Sequence, residues 1–479
     1  MLGALKVMAM PFKLCVPVGK GATLRLFGTS GIRGVVNEDL TPELALRVGM
    51  ALASLKGGGA YSLARDARTT GHVIAMAFAS GVMACGGDVL DLGLLPTGAL
   101  AFLTRELRAR AGCMITASHN PPEYNGLKLF RSDSSPFWPE DEKKLEAIIK
   151  EGNFKRSPWD AVGKLTRSDL SRSYIEALVS SVELRRSWHV VLDPGCGATS
   201  LLAPEVFRQA GCRVDTINAV PDGRFPARSP DLKPDTVVGL CQAVRELGAD
   251  VGFAYDGDGD RVVVVDEKGR FVPLDVALAA FAAYMVRSRG GGLVVLTVEA
   301  SYCVEEAVRE AGGDVLRTRV GDVSVSVEVS RHKAVFGGEP CGAWVCPQFS
   351  LAADGVAASL FLLEALDETS AKPSEFFSGI PRYPVVREKV PCPNELKARV
   401  LALLRDRLPS AFGHVRELVN IDGLRLELED GWVLVRPSGT EPVVRVTAEA
   451  RKEEQAKAIA RRALELVKEA LEEAMRRAG

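Results

Sequence analysis

The sequence predicts an α/β protein made of three related domains, followed by a smaller α+β domain. Its 479 residues are enough for about three domains of ordinary size. A strand–loop–helix–strand plan occurs three times, at 59–93, 188–218 and 292–319. The pentapeptide Gly-Gly-Asp-Val-Leu opens the second strand of the first and third copies. After Lys372 the plan is replaced by strands and one long helix, which sets the last domain apart.

Each copy of this plan combines an apolar strand, a polar loop, a helix and a second strand. The first copy places its helix at 70–84, the second ends its helix near Phe207, and the third places its helix at 304–311. A glycine follows each helix, where the left-handed cap conformation favours this residue. Strand–helix–strand units of this length favour parallel pairing with right-handed crossovers. The three copies therefore predict three related α/β domains.

The last part of the chain follows a different plan. Strands are predicted over 415–428 and 432–450, around a glycine-bearing loop, and an amphipathic helix over 453–477. Two stretches are predicted to be linkers, 152–160 and 380–393. This pattern predicts a fourth, smaller α+β domain.

Charge and composition exclude several classes of protein. The formal net charge is −1, so binding to nucleic acid or to a membrane surface is not predicted. No apolar run approaches the roughly 18 residues that a bilayer-spanning helix needs. The ten cysteines form no C-x-x-C pair, so neither a zinc ribbon nor a secreted disulfide framework is indicated. We therefore expect a cytoplasmic protein with reduced thiols.

Two features stand apart from this expectation. Residues 1–20 are mildly apolar but lack the layout of a signal peptide, so we expect an N-terminal extension. Asn and Gln are scarce while Arg and Glu are plentiful, which is a trend of heat-adapted proteins. Intracellular disulfides occur in such proteins, and Cys341 and Cys346 are the candidate pair.

The most distinctive stretch is TASHNPPEYNGLKLF at 116–130. It joins two short apolar runs and contains Asn-Pro-Pro and Asn-Gly, which are strong turn formers. One tight loop thus carries the hydroxyl of Ser118, the imidazole of His119 and the ammonium of Lys128. A serine needs a base or a metal to become a nucleophile, and the G-x-S-x-G elbow of acyl-transfer enzymes is missing. From these residues alone, a turn with an N-capping serine remains the alternative to an active-site loop.

A second motif, YDGDGDR at 255–261, lies between two apolar runs. The carboxylates of Asp256, Asp258 and Asp260 alternate with glycines, so they can converge on one hard cation. Carboxylates this close repel one another unless a cation neutralises them. A solvated acidic turn and an EF-hand loop are the alternatives. Glu267 falls at the last EF-hand position, but Arg261 stands where that loop needs glycine, and valines follow instead of a helix.

Two further loops are rich in glycine and polar groups. FGGEPCG at 336–342 carries the carboxylate of Glu339, and by itself it predicts an ordinary turn. RPSGTEP at 436–442 offers a guanidinium, two hydroxyls and backbone N–H groups, a combination that can cradle phosphate. Its alternative is a plain connection between two strands.

Charged motifs also occur near the start of the chain. FGTSGIRG at 27–34 contributes the guanidinium of Arg33. RDAR follows the first repeated strand, and we expect Arg65, Asp66 and Arg68 to form a buried or interfacial charge network rather than a ligand site.

In this order, over about 26–450, the motifs resemble those of the α-D-phosphohexomutases, the superfamily of phosphoglucomutase, phosphomannomutase and phosphoglucosamine mutase. The resemblance implies three mixed-sheet α/β domains and a smaller C-terminal α+β domain around a central cleft. These would carry, in turn, a phosphoserine loop, a metal loop, a sugar-binding loop and a phosphate-binding loop. The domains are predicted at 22–155, 156–263, 264–375 and 380–479.

The resemblance also implies a role for each matching residue. Ser118 would carry a phosphoryl group and pass it to the sugar. One Mg²⁺ ion would be held by Ser118 together with Asp256, Asp258 and Asp260. The flanking residues that would assist proton transfer, which the sequence does not rank, are Arg33, His119 and Lys128. The residues implied in substrate binding are Arg261, Glu339, Cys341, Arg436, Ser438, Gly439 and Thr440.

Two positions depart from the family pattern. The sugar-binding loop has Cys341 where relatives have serine, and Ala343 where many relatives have histidine. A thiol is a weak hydrogen-bonding substitute for a hydroxyl. These departures bear on the choice of sugar and leave the phosphate and metal chemistry untouched.

The implied reaction interconverts hexose 6-phosphate and hexose 1-phosphate through a 1,6-bisphosphate, which also serves as activator. LFGTSGIRG and GGEPCGAW are most similar to archaeal-type phosphoglucosamine mutases, with phosphomannomutase/phosphoglucomutase as the alternative. A sugar-phosphate phosphatase and a non-catalytic sugar-phosphate binder are more distant alternatives. The expected partner is a small sugar phosphate, without nucleic acid or membrane. The oligomeric state is left open, and a homodimer is among the states allowed.

Overall fold

The fold was analysed in a computed structural model that describes residues 26–439 and 441–477. The predicted extension at 1–20 and the phosphate-loop residue Thr440 lie outside the described residues. Within those ranges the chain forms four sheets, three mixed and one antiparallel, with helices packed against them.

The first sheet and its helices comprise, in chain order, β1 (Ile32–Val35), α1 (Pro42–Lys56), β2 (Gly59–Arg65), α2 (Gly71–Ala84), β3 (Gly87–Leu94), α3 (Thr97–Glu106), β4 (Ala111–Ile115), β5 (Tyr124–Arg131), α4 (Pro139–Glu151) and β6 (Leu165–Arg167). The strand order is β1-β5-β4-β2-β3-β6. Strands β4, β2, β3 and β6 are parallel and β5 runs antiparallel to them, whereas β1 pairs antiparallel with β5 and so runs in the same direction as β4.

The second sheet follows with α5 (Ser171–Val179), β7 (His189–Asp193), α6 (Leu202–Gln209), β8 (Arg213–Thr216), α7 (Val238–Leu247), β9 (Val251–Tyr255) and β10 (Val262–Val265). The third comprises α8 (Leu274–Ser288), β11 (Gly292–Thr297), α9 (Tyr302–Glu310), β12 (Gly313–Thr318), α10 (Asp322–His332), β13 (Phe336–Gly338), β14 (Trp344–Val345), α11 (Gly355–Thr369) and α12 (Pro373–Phe376).

The three sheets share one topology, as the repeats predict. The orders β5-β4-β2-β3, β10-β9-β7-β8 and β14-β13-β11-β12 are equivalent. In each, three neighbouring strands are parallel and the strand at one end of this group of four is antiparallel. The antiparallel strand is a short hairpin return after the last parallel strand. The repeated sequence plan has no signal for this return, because it covers only the first two parallel strands and the helix between them.

The fourth domain is built from β15 (Val385–Pro391), α13 (Lys397–Ser410), β16 (Val415–Val419), β17 (Leu424–Leu428), β18 (Gly431–Pro437), β19 (Val443–Ala450) and α14 (Glu453–Arg476). All its strand pairs are antiparallel, in the order β15-β19-β18-β17-β16. The two predicted strand stretches are each a hairpin. The first turns at Gly423, whose φ of 88° favours glycine.

The apolar cores show how the domains are joined. One continuous core runs through the first three domains and includes Phe102, Trp188, Phe281 and Trp344. The fourth domain has a core of its own. It meets the third domain through a small cluster of Val298, Trp432 and Leu434. The first three domains are therefore joined by one continuous core, beside which the first domain keeps a second core of its own, and the fourth is attached over a smaller apolar contact.

Two sequence predictions need correction here. The predicted linker at 380–393 contains β15, which pairs with β19 along its whole length as an edge strand, because Val386 and Val390 pack into the core of the fourth domain. The candidate disulfide between Cys341 and Cys346 is not formed, and both residues are free thiols. No helix in the described ranges combines the length and apolarity needed to cross a bilayer.

Candidate active site

Three loops of the candidate site occupy equivalent places in the three related sheets. Each follows the carboxyl end of a parallel strand, β4, β9 or β13, and leads into the antiparallel strand β5, β10 or β14. Sheets of this kind place ligands outside the carboxyl ends of their parallel strands. The loops carry Ser118, the three aspartates and Glu339 respectively, so the repeats position three different chemical groups by the same structural device.

Ser118 is fully buried, and its φ of 52° lies in the left-handed region that residues other than glycine rarely adopt. Its Oγ donates a 2.6 Å hydrogen bond to Oδ2 of Asp256. The same Oγ is 3.3 Å from Nδ1 of His119. The serine therefore lies between a carboxylate of the second domain and the imidazole of its own loop.

The loop between β9 and β10 buries Asp256, Asp258 and Asp260. One oxygen of each carboxylate lies within 4.8 Å of the other two. Oδ1 of Asp258 and Oδ1 of Asp260 are buried and accept no hydrogen bond from any residue that the structure describes. Buried carboxylate oxygens without a partner are costly unless a cation or a proton neutralises them, and oxygen ligands suit Mg²⁺. The donor set therefore fits a hard divalent cation.

The alternatives to a metal loop do not fit this geometry. The loop is followed by the valine strand β10 rather than by a helix, so it is not an EF-hand. Glu267, which would be the last EF-hand ligand, instead accepts hydrogen bonds from N and Oγ of Ser374. The three aspartates are at most 3% exposed, so the loop is not a solvated acidic turn.

The acidic loop is held closely against the serine loop and the first domain. A Cβ at Gly257 would lie 2.5 Å from the carbonyl oxygen of Ser118, so only glycine permits this approach. Thr97, at the start of α3, donates its N–H to the carbonyl oxygen of Asp258 at 2.9 Å. Its Oγ1 also donates to Oδ2 of Asp258 at 2.5 Å. These contacts fix the aspartates relative to Ser118.

Lys128 on β5 reaches across to the acidic loop. Its Nζ donates to Oδ2 of Asp258 at 2.7 Å and also contacts Oδ2 of Asp260. Burial opposes the charged ammonium, but these two carboxylates raise the pKa of Lys128 above its usual value. Burial and the charges of its two neighbours raise the pKa of Asp256. Against the effect of its own burial, Asp258 has a lowered pKa because of Lys128. Lys128 is therefore a protonated counter-charge.

Cationic groups also surround the imidazole of His119. The positive charge of Arg261, burial and the charge of Arg33 lower the pKa of His119 to about 2. Arg33 Nη1 donates to Oδ1 of Asn120 at 3.1 Å. The backbone N–H of Arg261 donates to Oδ1 of Asp256 at 3.2 Å. The imidazole is thus neutral and able to accept a hydrogen bond.

The loop between β13 and β14 carries Glu339 and Cys341. Oε2 of Glu339 accepts a 2.8 Å hydrogen bond from the N–H of Gly321. Burial and the nearby carboxylate of Asp322 raise the pKa of Glu339 to about 8. Burial likewise raises the pKa of Cys341 to about 12, so its thiol is neutral. The loop is tied to the metal loop by a hydrogen bond from the N–H of Val262 to the carbonyl oxygen of Gly342.

Arg436 is the next-to-last residue of β18 in the fourth domain, where the predicted phosphate loop begins. Its Nη2 donates to Oε1 of Glu299 at 2.7 Å, and its Nη1 lies 3.5 Å from Oδ2 of Asp422. Two carboxylates therefore form ion pairs with this guanidinium. Ser438 is buried and its N–H donates to the carbonyl oxygen of Val443 at 3.0 Å. Gly439 is exposed.

Further cations lie on the strands beside Arg436 and were not singled out from the sequence. Arg445 on β19 is paired across the sheet with Arg436 on one side and with Lys389 on the other. Arg387 lies two residues before Lys389 on β15. The signal was present, because residues two apart on a strand share a face. It was missed because 380–393 was predicted to be a linker.

These groups meet at one cavity of about 830 Å³. The predicted site residues that line it are Arg33, His119, Arg261, Glu339, Cys341 and Arg436. The other charged residues that line it are Asp231, Lys233, Asp275, Glu299, Asp322, Arg387, Glu388, Lys389 and Arg445. Ser118 and Asp256 do not line it, but Ser118 contacts His119 and Asp256 contacts Arg261, which do. The cavity takes groups from all four domains, as a central cleft requires.

The RDAR motif divides into two environments. Nε of Arg68 lies 3.0 Å from Oδ2 of Asp66, and both side chains are fully buried, as the predicted charge network requires. Arg65 does not join it, because within the described ranges this side chain forms no ion pair and its Nη1 reaches only the carbonyl oxygen of Asp66 at 3.5 Å.

Comparison with known proteins bears directly on this arrangement. The four domain models of one family match in order: alpha/beta/alpha domains I, II and III at 24–156, 172–269 and 274–383, and the C-terminal domain at 389–466. The chain belongs to the phosphoglucomutase/phosphomannomutase family.

Relatives of this phosphohexomutase match along almost its whole length. A protein of Pyrococcus abyssi named "Probable phosphoglucosamine mutase" is 46% identical over 450 residues, covering 94% of this chain and 99% of that one. One of the same name from Methanothermobacter thermautotrophicus is 44% identical, covering 91% and 96%. The crystal structure of a phosphoglucomutase/phosphomannomutase family protein from Burkholderia thailandensis superposes with a TM-score of 0.84 at 29% identity, covering 93% and 97%. The chain is thus an enzyme of the phosphohexomutase type, an isomerase that transfers a phosphoryl group.

Proposed function

We propose that this phosphohexomutase interconverts glucosamine 6-phosphate and glucosamine 1-phosphate through a phosphorylated Ser118 and a 1,6-bisphosphate. The observation that carries the proposal is the contact between Ser118 and Asp256, because it joins a hydroxyl to a buried acidic cluster at the edge of a cationic cleft. The relatives with 40–46% identity bear the name "Probable phosphoglucosamine mutase".

The transfer moves one phosphoryl group in each half of the reaction. A sugar hydroxyl oxygen bonds to the phosphorus on Ser118, and the bond between phosphorus and Oγ breaks. The hydroxyl proton leaves to a base, and the released Oγ takes up a proton to become a hydroxyl again. The bisphosphate then reorients in the cleft, so that its two phosphates exchange places, and it returns its other phosphoryl group to Oγ of Ser118. Little covalent chemistry is asked of the protein, so positioning and charge stabilisation dominate. A trace of hexose 1,6-bisphosphate primes Ser118 and acts as activator.

A single Mg²⁺ ion fits the donor set of Asp256, Asp258, Asp260 and Ser118. When bound, it would polarise the phosphoryl group and balance its charge. Lys128 supplies a second positive charge beside the same carboxylates and is held protonated by them. Neutral His119, 3.3 Å from Oγ of Ser118, is suited to hydrogen bonding with the serine oxygen or the attacking hydroxyl. Arg33 and Arg261 are suited to the phosphoryl oxygens.

The cleft contains two carboxylates that suit an amino sugar. Asp322 and Glu339 both line it, and neither forms an ion pair with another residue of the described ranges. Glucosamine phosphate carries an ammonium group at neutral pH, whereas glucose and mannose phosphates carry only hydroxyls there. An ammonium between these carboxylates would relieve their repulsion. This feature favours glucosamine phosphate over the neutral sugars.

The non-reacting phosphate would bind to the fourth domain. Arg436, Ser438 and Gly439 support this assignment, with Lys389 and Arg445 beside them. Both phosphates of the bisphosphate use this place in turn, so the site must accept two sugar orientations. The separate core of the fourth domain is consistent with a domain that moves during turnover.

A coupled assay tests the proposal. Mg²⁺ and a trace of glucose 1,6-bisphosphate are supplied with glucosamine 6-phosphate, mannose 1-phosphate or glucose 1-phosphate, with Ser118→Ala alongside. We expect preference for the amino sugar and its loss in Ser118→Ala. Preference for mannose 1-phosphate or glucose 1-phosphate would agree with the phosphoserine mechanism but refute glucosamine phosphate as the preferred substrate. Steady release of inorganic phosphate without any need for bisphosphate would favour a phosphatase, and full activity of Ser118→Ala would overturn the phosphoserine mechanism.

A further inference from the structure

Arg68 lies directly beneath the loop that carries Ser118, and it is 1% exposed. Its Nη2 donates to the carbonyl oxygens of Ser118 at 2.8 Å and Asn120 at 2.6 Å. Its Nη1 donates to the carbonyl oxygens of Pro121 at 2.5 Å and Tyr124 at 2.9 Å. One guanidinium thus holds four carbonyl groups of a single loop, which is more than a simple ion pair with Asp66 would need.

A second route connects the same arginine to the other side of Ser118. Oδ2 of Asp66 accepts hydrogen bonds from Nε of Arg68 at 3.0 Å and from Oγ1 of Thr116 at 2.7 Å. Oγ1 of Thr116 in turn accepts from the N–H of Ser118 at 2.9 Å. The N–H of Ser118 is therefore held by Thr116, and its C=O is held by Arg68.

These two contacts explain how Ser118 keeps an unfavourable backbone conformation. A serine at φ 52° needs surrounding contacts that fix both of its peptide groups. This conformation aims Oγ at Asp256 rather than into the strand ladder. A small rotation of either peptide would move Oγ away from the acidic cluster.

The second domain covers Arg68 from the opposite side. The ring of Phe225 lies over its guanidinium, with Cζ 5.1 Å from the ring centroid. A Cβ at Gly223 would lie 2.4 Å from the carbonyl oxygen of Ala67 and 2.4 Å from the N of Thr69, so the two loops are in close contact. The segment that carries Phe225 therefore leaves Arg68 little freedom to change its rotamer.

We propose that Arg68 is a positioning residue for phosphoryl transfer at Ser118, acting through the loop carbonyls and, by way of Asp66, through Thr116. Its side chain does not line the cleft. The inference rests on the proposed phosphoserine reaction and assigns a role in it to the RDAR motif. Pre-organised geometry of this kind affects the transfer step more than ground-state binding of the sugar phosphate.

The test compares Arg68→Lys and Thr116→Val with wild type and with a matched control, Arg425→Lys. Arg425 is also fully buried, bonds the carbonyl oxygens of Val298 and Ala300, and stacks on Trp432, with its Cζ 3.9 Å from the ring centroid. It lies at the junction of the third and fourth domains, away from Ser118. A lysine can make some of the contacts of Arg68 but cannot hold four carbonyls in one plane.

Steady-state kinetics give kcat and KM of each variant for the sugar phosphate. The phosphorus NMR resonance of phosphorylated Ser118 and the thermal midpoint of unfolding are measured as well. For Arg68→Lys and Thr116→Val we expect kcat to fall by about 100-fold with KM changed less than about threefold. The phosphoserine resonance should shift or broaden in both. Arg425→Lys should lower the thermal midpoint. Its kcat should stay within about twofold of the wild-type value, and its phosphoserine resonance should not shift.

Folded Arg68→Lys with wild-type kcat and an unshifted resonance would overturn the inference. If Arg68→Lys does not fold, Thr116→Val decides, because valine keeps the volume of threonine and removes only its hydroxyl. If wild type is phosphorylated on Ser118 and Thr116→Val has an unchanged kcat, the positioning role alone is overturned. A wild-type enzyme that takes up no phosphate on Ser118 would overturn the proposed function and this inference together.

Discussion

Oδ2 of Asp256 accepts a 2.6 Å hydrogen bond from Oγ of Ser118, although 138 residues separate the two in the chain. The contact joins equivalent loops of the first and second sheets. It places a hydroxyl of one domain in the ligand shell that the acidic loop of the next domain would offer to a cation. The predictions below follow from this contact and from the charges around it.

Replacing Asp256 separates metal binding from folding. Burial and the two neighbouring carboxylates raise the pKa of Asp256, so Asp256→Asn removes a repulsive charge and we expect it to stabilise the metal-free protein slightly. The same change removes one of the proposed metal ligands. Wild type should gain a few degrees in thermal midpoint on addition of Mg²⁺, and Asp256→Asn less than about 1 °C.

Thermal scans with and without Mg²⁺ check this prediction. Asp231→Asn serves as control, because Asp231 already pairs with Lys233 and lies outside the acidic cluster. An Mg²⁺-dependent stabilisation that is as large in Asp256→Asn as in wild type would contradict the proposed metal site.

Replacing Asp322 tests the recognition of the amino group. We expect Asp322→Asn to lower kcat/KM for glucosamine 6-phosphate by about 10-fold or more, because a buried ammonium loses a charged partner. The value for glucose 1-phosphate should change by less than about twofold, since a hydroxyl can be bound by an amide. Asp231→Asn should leave the ratio of the two kcat/KM values unchanged. An unchanged ratio in Asp322→Asn would refute the proposed role of Asp322 in binding the amino group.

The ion pair between Glu299 and Arg436 should compete with phosphate. Glu299→Gln keeps the shape of the side chain and removes its charge, so that Arg436 loses the nearer of its two carboxylate partners. We expect KM for the sugar phosphate to fall by about threefold to tenfold, as for a partly exposed charge-assisted contact of about 1 kcal/mol. Arg436→Ala should raise KM by more than that factor.

Steady-state kinetics at constant ionic strength make the comparison. A matched control is Glu305→Gln, because Glu305 pairs with Arg317 and Arg309 on the same domain but does not line the cleft. If Glu299→Gln raised KM, the carboxylate would be helping phosphate binding and the competition would be refuted.

Asp354 should make stability fall as pH rises through the acid range. Burial raises its pKa to about 6 from an ordinary value of 3.8, and its Oδ1 caps α11 by accepting from the N–H groups of Val356 and Ala357. Between these pH values the folded protein holds a proton that the unfolded chain has lost. The free energy of unfolding therefore decreases from about pH 4 to about pH 6, by roughly 2–3 kcal/mol for this group.

Denaturant unfolding between pH 4 and pH 7 measures this slope. Asp354→Asn keeps the capping oxygen and removes the titration, so its unfolding free energy should depend less steeply on pH than that of wild type. Other carboxyls titrate in the same range, and the difference between the two proteins isolates Asp354. Parallel curves for the two proteins would show that this carboxyl does not hold its proton.

The sequence was sufficient for much of the fold and for the groups at the site. The three repeats predicted three sheets of one topology, and the spacing of Asp256, Asp258 and Asp260 predicted a convergent acidic cluster. These inferences succeeded because they depend on short stretches, where strand alternation, turn formers and residue spacing act locally. The strand β15 was not predicted, because prolines at both ends of its stretch suggested a linker.

The sequence by itself determined which chemical groups each loop carries and the order of the loops along the chain. Only the tertiary structure decided their partners: Lys128 among the aspartates, Arg436 against Glu299, and Arg68 beneath Ser118. Each of these pairs joins residues at least 50 positions apart. The physical reason is that charge pairing in a buried site depends on distance and desolvation, which are set when sheets pack together and leave no periodic pattern in the chain.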